Sequence, residues 1–313
     1  MPFAMRPVFP WSLGSRTIEL GKRTLIMGVL NVTPDSFSDG GKYFDRDQAI
    51  AHALQLLAEG ADIIDVGGES TRPGARVLAM GEASNPKQRA SGESATSGKT
   101  AVSESEELDR VIPVITEIKR MQPDAIVSVD TYKAGVARAA VKAGAEIVND
   151  VSGFRWDRLM TKTLAELRCG SVMMHMRGRP EEWRNLPQVA DMVLLIKREL
   201  SDWTQAAIRH GVKRDTLVLD PGLGFGKNFE QNYPLLKRFE ELHTLRFPLL
   251  VGISKKSFVG RALAQDGKDA PVADRLYGTL AAETVAVLHG AHILRTHDVR
   301  ASLDAARMAD KIS

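Results

Sequence analysis

Short apolar runs alternate along the chain with longer segments that carry apolar residues at helical spacing. The apolar runs cover residues 24–30, 61–68, 125–131, 146–153, 171–177, 216–222, 248–254 and 292–298, and such runs are typical of strands buried on both faces of a parallel sheet. The helical segments cover residues 46–59, 105–121, 134–143, 158–168, 189–209, 232–246, 274–289 and 299–308. This alternation predicts an α/β fold, a single (β/α)₈ TIM barrel, with an open doubly wound sheet as the alternative.

Two segments fall outside this alternation. Residues 15–20 and 23–26 predict the arms of an N-terminal β-hairpin within residues 13–26, with Gly21 and Lys22 at the turn. We expect this hairpin to plug the bottom of the barrel. Residues 77–103 are rich in small and charged residues and contain no aromatic residue, which predicts a flexible, solvated insertion in the loop after the second strand. The whole chain, residues 1–313, is interpreted as one domain.

The composition is that of an ordinary soluble enzyme, with 43% hydrophobic and 26% charged residues. The net charge is only +3 and charges of both signs are interspersed, which argues against a nucleic acid partner. A single cysteine, Cys169, excludes an intrachain disulfide and is expected to be an inert thiol buried in a helical segment. The amino terminus lacks a secretory pattern, and no apolar run reaches roughly 18 residues. We therefore expect no membrane partner and a cytoplasmic location.

Polar residues collect where the predicted strands end. In a barrel these positions converge on one pocket, so residues from nearly the whole chain become neighbours. Asp130, Asn149 and Asp220 would suit a flat ligand edged with N–H donors, such as the aminopyrimidine ring of a pterin, although buried Asp and Asn also cap loops. Further strand-end residues are Asn31, Asp65, Asp150, His175, Met176, Ser254, Lys256, Ser257, Arg295 and His297.

Two groups of residues near the strand ends point to anion and aromatic binding. Arg72, Arg295 and His297 would suit an anion with several oxygens, although surface ion pairs are the commoner use of arginine. The polar stretch at 31–41 supplies oxygens that could hold a hard cation or a polar ligand, or it is simply a solvated loop. The glycine-rich stretch 222–228 lacks P-loop spacing. It predicts a flexible loop with an exposed Phe225, which either lies beside an aromatic substrate or pins the loop.

Four motifs together resemble the dihydropteroate synthase family, the folate-pathway enzymes that sulfonamides target. They are LNVTPDSFSDGG at 30–41, DVGGESTRPG at 65–74, LDPGLGFGKN at 219–228 and RTHDV at 295–299. The resemblance implies a transferase that condenses (7,8-dihydropterin-6-yl)methyl diphosphate with 4-aminobenzoate. The products would be 7,8-dihydropteroate and diphosphate, with Mg²⁺ as cofactor. The resemblance also implies a homodimer.

The resemblance assigns roles to residues at the matching positions. The pterin would contact Asp130, Asn149, Met176, Asp220 and Lys256. Diphosphate and Mg²⁺ would engage Asn31, Arg72, Arg295 and His297, with Asn31 as the metal ligand. The aminobenzoate would lie among Thr71, Arg72, Pro73, Phe225 and Ser257. Catalysis is assigned to Arg72, Lys256, Arg295 and His297, which stabilise the leaving group and the pterin pocket. Asp65 is expected to orient Asn31, and Asp35 to act when the first loop closes.

Two departures from the family pattern and two rival readings stay open at this point. Lys255 replaces the arginine that many members have before the lysine after the seventh strand, and the 77–103 insertion follows Gly74. A pterin-binding methyltransferase would share the barrel and a pterin site with Asp and Asn, without needing the first two loops. A catalytically silent paralogue would keep the pterin residues and lose the anion site. The intact Arg72, Arg295 and His297 argue against the silent paralogue.

Overall fold

Eight parallel strands form the central sheet of the structure, a computed structural model that describes residues 6–33, 42–69 and 101–313. The sheet order is β8-β7-β6-β5-β4-β3-β10-β9. A parallel bridge between Leu219 and Leu249 joins its two ends, which closes the barrel and rules out the open sheet. The strands are β3 (Leu25–Asn31), β4 (Ile63–Gly67), β5 (Ile126–Asp130), β6 (Ile147–Asp150), β7 (Gly170–Met174), β8 (Leu217–Asp220), β9 (Leu250–Gly252) and β10 (Ile293–Thr296).

Helices surround this sheet and bury one apolar face each against its outer side, as the helical spacing predicts. The segment expected at 232–246 is divided, because a 3₁₀ helix, Phe239–Leu245, follows α6. One short helix, α7, was not predicted. The α-helices in the described residues are α1 (Lys42–Ala58), α2 (Glu104–Met121), α3 (Ala134–Lys142), α4 (Met160–Leu167), α5 (Met192–Arg209), α6 (Phe229–Lys237), α7 (Ser257–Ala262), α8 (Leu276–Leu288) and α9 (Val299–Ile312).

The hairpin exists but lies earlier in the chain than expected. Its strands are β1 (Phe9–Ser12) and β2 (Thr17–Leu20), which pair antiparallel across a turn at residues 13–16. Residues 23–26 cannot be its second arm, because β3 begins at Leu25 and pairs with β4 and β10 on its two edges.

The hairpin closes the amino-terminal end of the barrel, as predicted. Trp11, Leu13 and Leu20 are buried there against the first inward-facing residues of the barrel strands, including Met27 and Ile147. The indole Nε1 of Trp11 also donates to the carbonyl oxygen of Thr216 at 2.8 Å. The plug therefore combines apolar burial with one satisfied polar group.

Cys169 is buried, as expected, but it lies between α4 and β7 and not within a helix. Burial raises the pKa of its thiol to about 11, so it stays protonated and inert at neutral pH. No helix among residues 6–33, 42–69 and 101–313 is long and apolar enough to cross a membrane. Most of the predicted 77–103 insertion lies outside the described residues.

Candidate active site

A guanidinium at the carboxyl end of the barrel connects three strands. Arg295 of β10 reaches past β3, and its Nε donates to Asp65 Oδ2 of β4 at 2.6 Å. Its Nη2 donates to Asp130 Oδ2 of β5, also at 2.6 Å. Asn149 of β6 joins the network, because its Nδ2 donates to the same Asp65 oxygen at 3.1 Å. Asp65 therefore positions Arg295 and Asn149, a role that differs from the expected orientation of Asn31.

Asp130 and Arg295 each influence the pKa of the other. Burial raises the pKa of Asp130 to about 7, against the opposing attraction of Arg295. Burial disfavours the charge of Arg295, but Asp65 and Asp130 outweigh it and raise the pKa of Arg295 above its ordinary value. Arg295 therefore stays charged in the pocket, while Asp130 titrates close to neutral pH.

A second acid–base pair lies at the opposite side of the barrel mouth. Asp220 ends β8, and its Oδ1 accepts a hydrogen bond from the backbone N–H of Gly222 at 2.7 Å. Lys256 follows β9; its Nζ donates to the carbonyl oxygen of Leu223 and lies 4.4 Å from the ring centroid of Phe225. Burial lowers the pKa of Lys256 to about 8, although the charge of Asp220 opposes this shift. Lys256 is therefore an ammonium that loses its proton unusually easily.

The glycine-rich loop between β8 and α6 is more buried than the exposed, flexible loop expected from its sequence. Phe225 is half-buried and packs edge-on against Trp183, with ring centroids 5.8 Å apart. The loop folds around Lys227, whose buried ammonium donates to the carbonyl oxygens of His175, Gly222 and Phe225 at 3.2, 2.7 and 3.0 Å. Burial lowers the pKa of Lys227 well below its ordinary value. Lys227 thus fixes Phe225 beside Lys256, a role that the sequence did not indicate.

Asn31, at the end of β3, and Asp130, at the end of β5, lie on either side of Gly67 of β4. A methyl group placed on Gly67 would lie 3.8 Å from Asp130 Oδ2 and 3.9 Å from Asn31 Oδ1. Both oxygens therefore flank the same glycine. The described residues contain no group of three His, Cys, Asp or Glu side chains placed to hold a metal. A hard cation at Asn31 would need most of its oxygen ligands from substrate and water, as Mg²⁺ commonly does.

The residues after β9 and β10 form the remaining rim. Ser254 Oγ lies 3.1 Å from Nδ1 of His297 and accepts a hydrogen bond from the backbone N–H of the same residue. These two contacts fix the orientation of the His297 imidazole. Ser257 is exposed at the start of α7. Lys255, which stands where many family members have arginine, forms an ion pair with Asp298 at 2.9 Å. Its charge therefore connects the loop after β9 to the loop after β10.

His175 and Met176 follow β7 directly, and their side chains point to opposite faces of the sheet. Met176 is buried with Tyr132, Trp156 and Met174 on the pocket side. His175 is also buried but faces outward, where it stacks on Trp203 of α5 at 5.2 Å. The expectation that His175 shares the pocket is therefore wrong, because successive side chains of an extended segment point to opposite faces.

Asp150 shows the same alternation at the end of β6. Its carboxylate accepts hydrogen bonds from the backbone N–H groups of Ser152 and Phe154. Asp150 therefore shapes the loop after β6, while the preceding residue, Asn149, faces the barrel interior. The predicted site residues Thr71, Arg72 and Pro73, and Asp35 with them, lie outside the described residues.

Comparisons with known proteins show the family to which the chain belongs. A family model for pterin binding enzymes matches residues 27–85 and 90–297. A dihydropteroate synthase of Clostridium beijerinckii is 40% identical over 301 residues, which cover 96% of this chain and 98% of that protein. The structure of Xanthomonas albilineans dihydropteroate synthase with 4-aminobenzoic acid has a TM-score of 0.82 at 37% identity and covers 98% of each chain. The same enzyme with 7,8-dihydropteroate gives a TM-score of 0.79 at 35% identity, covering 97% of this chain and 98% of that one. The chain therefore belongs to the pterin-binding enzyme family and, within it, to the dihydropteroate synthases.

Proposed function

We propose that the chain condenses (7,8-dihydropterin-6-yl)methyl diphosphate with 4-aminobenzoate in folate biosynthesis, forming 7,8-dihydropteroate and diphosphate. One observation carries the proposal: a single barrel mouth holds both an acceptor-rich set, Asp130, Asn149 and Asp220, and the cations Arg295 and Lys256. The first set suits the N–H edge of a pterin, and the cations suit a departing anion. The X. albilineans structures with 4-aminobenzoic acid and 7,8-dihydropteroate support these ligands.

Pterin recognition would rest on polar atoms that the protein leaves available. Asp220 uses Oδ1 for the Gly222 N–H, which leaves Oδ2 for the ligand. Asn149 donates through Nδ2 to Asp65, which orients its carbonyl oxygen as an acceptor. Met176 and its apolar neighbours would cover the face of the ring. A ring that cannot donate from this edge would leave buried acceptors unpaired, a loss of about 1–3 kcal/mol for each group.

The reaction requires leaving-group stabilisation more than a base. The amine nitrogen of 4-aminobenzoate attacks the methylene carbon attached to the pterin ring. As this C–N bond forms, the C–O bond to diphosphate breaks, its electron pair leaves with diphosphate, and the ammonium proton passes to diphosphate or water. Arg295 uses Nε and Nη2 for Asp65 and Asp130, so Nη1 is left to donate to the departing oxygens. We assign Lys256 and His297 to the same region, and Arg72 by family resemblance.

Mg²⁺ is part of the proposal. Asn31 Oδ1 would be its protein ligand, and diphosphate oxygens and waters would complete the shell. The bound ion would withdraw charge from the leaving group. The protein would hold Asn31 across Gly67 from Asp130, so that the anion would bind next to the pterin pocket.

We further propose a cytoplasmic homodimer in which residues 1–313 form one domain. Dimerisation is supported by apolar side chains exposed on α8 and on the segment between α7 and α8, namely Leu263, Val272, Tyr277 and Val285. The side chain of Tyr277 is 83% exposed, and exposed apolar patches that contain large aromatic residues are typical of protein–protein interfaces. Light scattering of the Tyr277→Glu variant tests this face, since a dimer of unchanged stability would exclude it.

The central assay measures diphosphate release from the pterin diphosphate, with and without 4-aminobenzoate and with and without Mg²⁺. A synthase releases diphosphate only when both additions are present and forms dihydropteroate in equal amount. A Lys256→Met variant purified in the same way controls for contaminating host enzyme. A pterin-binding methyltransferase or a silent paralogue would release none under any condition, and that result would refute the proposal.

A further inference from the structure

A second cavity lies outside the barrel, between β7 and the helices α4 and α5. Its volume is about 440 Å³, which falls in the range of roughly 300–1,000 Å³ that small-molecule sites occupy. Met173 forms part of the floor, and this residue is buried on the outward face of β7. The cavity is therefore separate from the barrel mouth, although both share one strand.

Aromatic groups form one wall of this cavity. Trp203 of α5 and Phe154 of the loop after β6 both line it. The loop can approach Trp203 closely because residue 153 is glycine: a methyl group there would lie 2.9 Å from the indole ring and 2.9 Å from the carbonyl oxygen of Met174. The guanidinium of Arg155 lies 3.8 Å from the Trp203 ring centroid. The guanidinium therefore covers a face of the Trp203 ring, and a flat ligand would stack there by displacing Arg155.

The rim of the cavity is basic. Arg155, Arg158, Lys162 and His210 line it, and none of its lining residues is acidic. In the described part of the chain, no carboxylate forms an ion pair with Arg158, Lys162 or His210. The guanidinium groups of Arg155 and Arg158 and the ammonium of Lys162, placed around an apolar floor, favour a ligand that carries a negative charge at one edge.

The cavity is also connected to the pterin pocket. Arg155 donates through Nη2 to the carbonyl oxygen of Met176 at 2.9 Å. Met176 lies on the pocket side of the same segment. On the other side of this segment, the imidazole of His175 stacks on Trp203, and the backbone N–H of His175 donates to the carbonyl oxygen of Asp220 at 2.8 Å. A ligand that draws Arg155 toward its own anion would remove the donor from Met176 and so alter the pterin pocket.

We propose that this cavity binds a planar aromatic carboxylate and that its occupation changes the affinity of the pterin site through Arg155 and Met176. The ring takes the place of the Arg155 guanidinium against Trp203, beside Phe154, and the carboxylate pairs with the displaced Arg155 and with Arg158 and Lys162. Both 4-aminobenzoate and dihydropteroate belong to this chemical class, which would make the site a sensor of substrate or product. That reading rests on the proposed reaction, whereas binding itself does not.

Binding is tested with 2-naphthoate, followed by tryptophan fluorescence and calorimetry on the full chain. We expect saturable binding, with a fluorescence change that the Trp203→Phe variant abolishes. The Arg158→Glu/Lys162→Glu double variant should weaken binding at least tenfold, about 1.4 kcal/mol. The matched control Lys142→Glu/Lys213→Glu makes the same change of net charge at exposed cations away from the cavity, and its affinity should change less than about twofold.

Three results would overturn the site. The affinity for 2-naphthoate could fall equally in both double variants, or stay unchanged in Arg158→Glu/Lys162→Glu. Neutral 2-naphthamide could also bind as tightly as 2-naphthoate. Melting temperatures verify that each variant is folded, and the single Lys162→Gln variant repeats the test if the double one is not. A Lys256→Met variant should bind 2-naphthoate normally, since this residue belongs to the barrel mouth; lost binding would place the ligand there instead.

The coupling is tested through binding, so that it does not depend on catalysis. The dissociation constant of 6-hydroxymethylpterin is measured with and without saturating 2-naphthoate. We expect a change of at least about fivefold, and the pterin should change the affinity for naphthoate by the same factor. The Arg158→Glu/Lys162→Glu variant should abolish this change. An unchanged pterin affinity, or a change that persists in that variant, would overturn the coupling.

Discussion

Replacing Arg295 by alanine leaves two carboxylates in the barrel mouth without the cation that both contact. Asp65 is fully buried, and its Oδ1 already has no hydrogen-bond partner among the described residues. Removing one member of a buried ion pair costs about 3–5 kcal/mol. Over 313 residues, an unfolding entropy of roughly 2.1 cal/mol/K per residue converts this into a melting temperature lower by about 5–8 °C. The loss of one leaving-group donor should also reduce kcat by about 10²–10³.

A second substitution separates these two effects. In Arg295→Ala/Asp65→Asn the buried negative charge is removed, so the melting temperature should recover most of its loss while kcat stays low. Arg300→Ala is the matched control, because Arg300 is exposed on α9 and forms a surface ion pair with Asp304 at i,i+4. It should cost no more than about 0.5 kcal/mol. Calorimetry and diphosphate release are measured on all variants. Recovered activity in the double variant would refute the catalytic role, and an unchanged melting temperature in Arg295→Ala would refute the buried network.

Three further predictions follow from the pocket, the plug and the loop after β8. The value of kcat/KM should rise as the pH passes about 7, where Asp130 loses its proton and becomes an acceptor, and should fall above about pH 8, where Lys256 loses its proton. The Lys256→Arg variant should move the alkaline fall to higher pH. An alkaline fall that stays at the same pH would assign it to another group. Trp11→Ala should lower stability by about 3–5 kcal/mol with little change in kcat below the melting transition, whereas Trp11→Phe should cost much less; equal melting temperatures would contradict the plug. Gly222→Ala should raise the KM for the pterin, because its φ is +64° and a methyl group would lie 2.0 Å from the carbonyl oxygen of His175; steady-state kinetics checks this, and a normal KM would show that the loop can shift without affecting the pocket.

The order of strands and helices was predictable because each apolar run is short and buried on both faces. The barrel strands all lie at the predicted runs to within a few residues. The hairpin was placed wrongly because Gly21 and Lys22 also resemble a turn. The turn between β1 and β2 is the Gly14-Ser15 pair, where Gly14 has a φ of +86° and the Leu13 N–H donates to the carbonyl oxygen of Arg16 at 2.8 Å. The short helix α7 lies below the length at which helical spacing can be recognised.

The polar residues of the pocket were predictable where they occupy every second position of a strand, because alternate side chains point to the same face. Asp65, Asp130 and Arg295 all meet at one network. His175 and Asp150 were grouped with the pocket only because they also lie at strand ends, and counting alternate positions from Met176 and Asn149 would have assigned them to the outer side. Lys227 gave no such signal, because its three acceptors are backbone carbonyls that come together only in the folded loop.

The closure of the barrel between β8 and β9 has a consequence for ligands. β9 has three residues, and the chain meets β8 there through one bridge, made by Leu249 just before β9. The other neighbouring strands pair over three to five residues. Such a junction opens at a lower free energy than the rest of the sheet. Asp220 ends β8 and Lys256 follows β9. A pterin that contacts both residues therefore connects the two strands and opposes their separation. Inhibitors that span the two residues should therefore protect the enzyme against heat more than inhibitors of equal affinity that contact one side only.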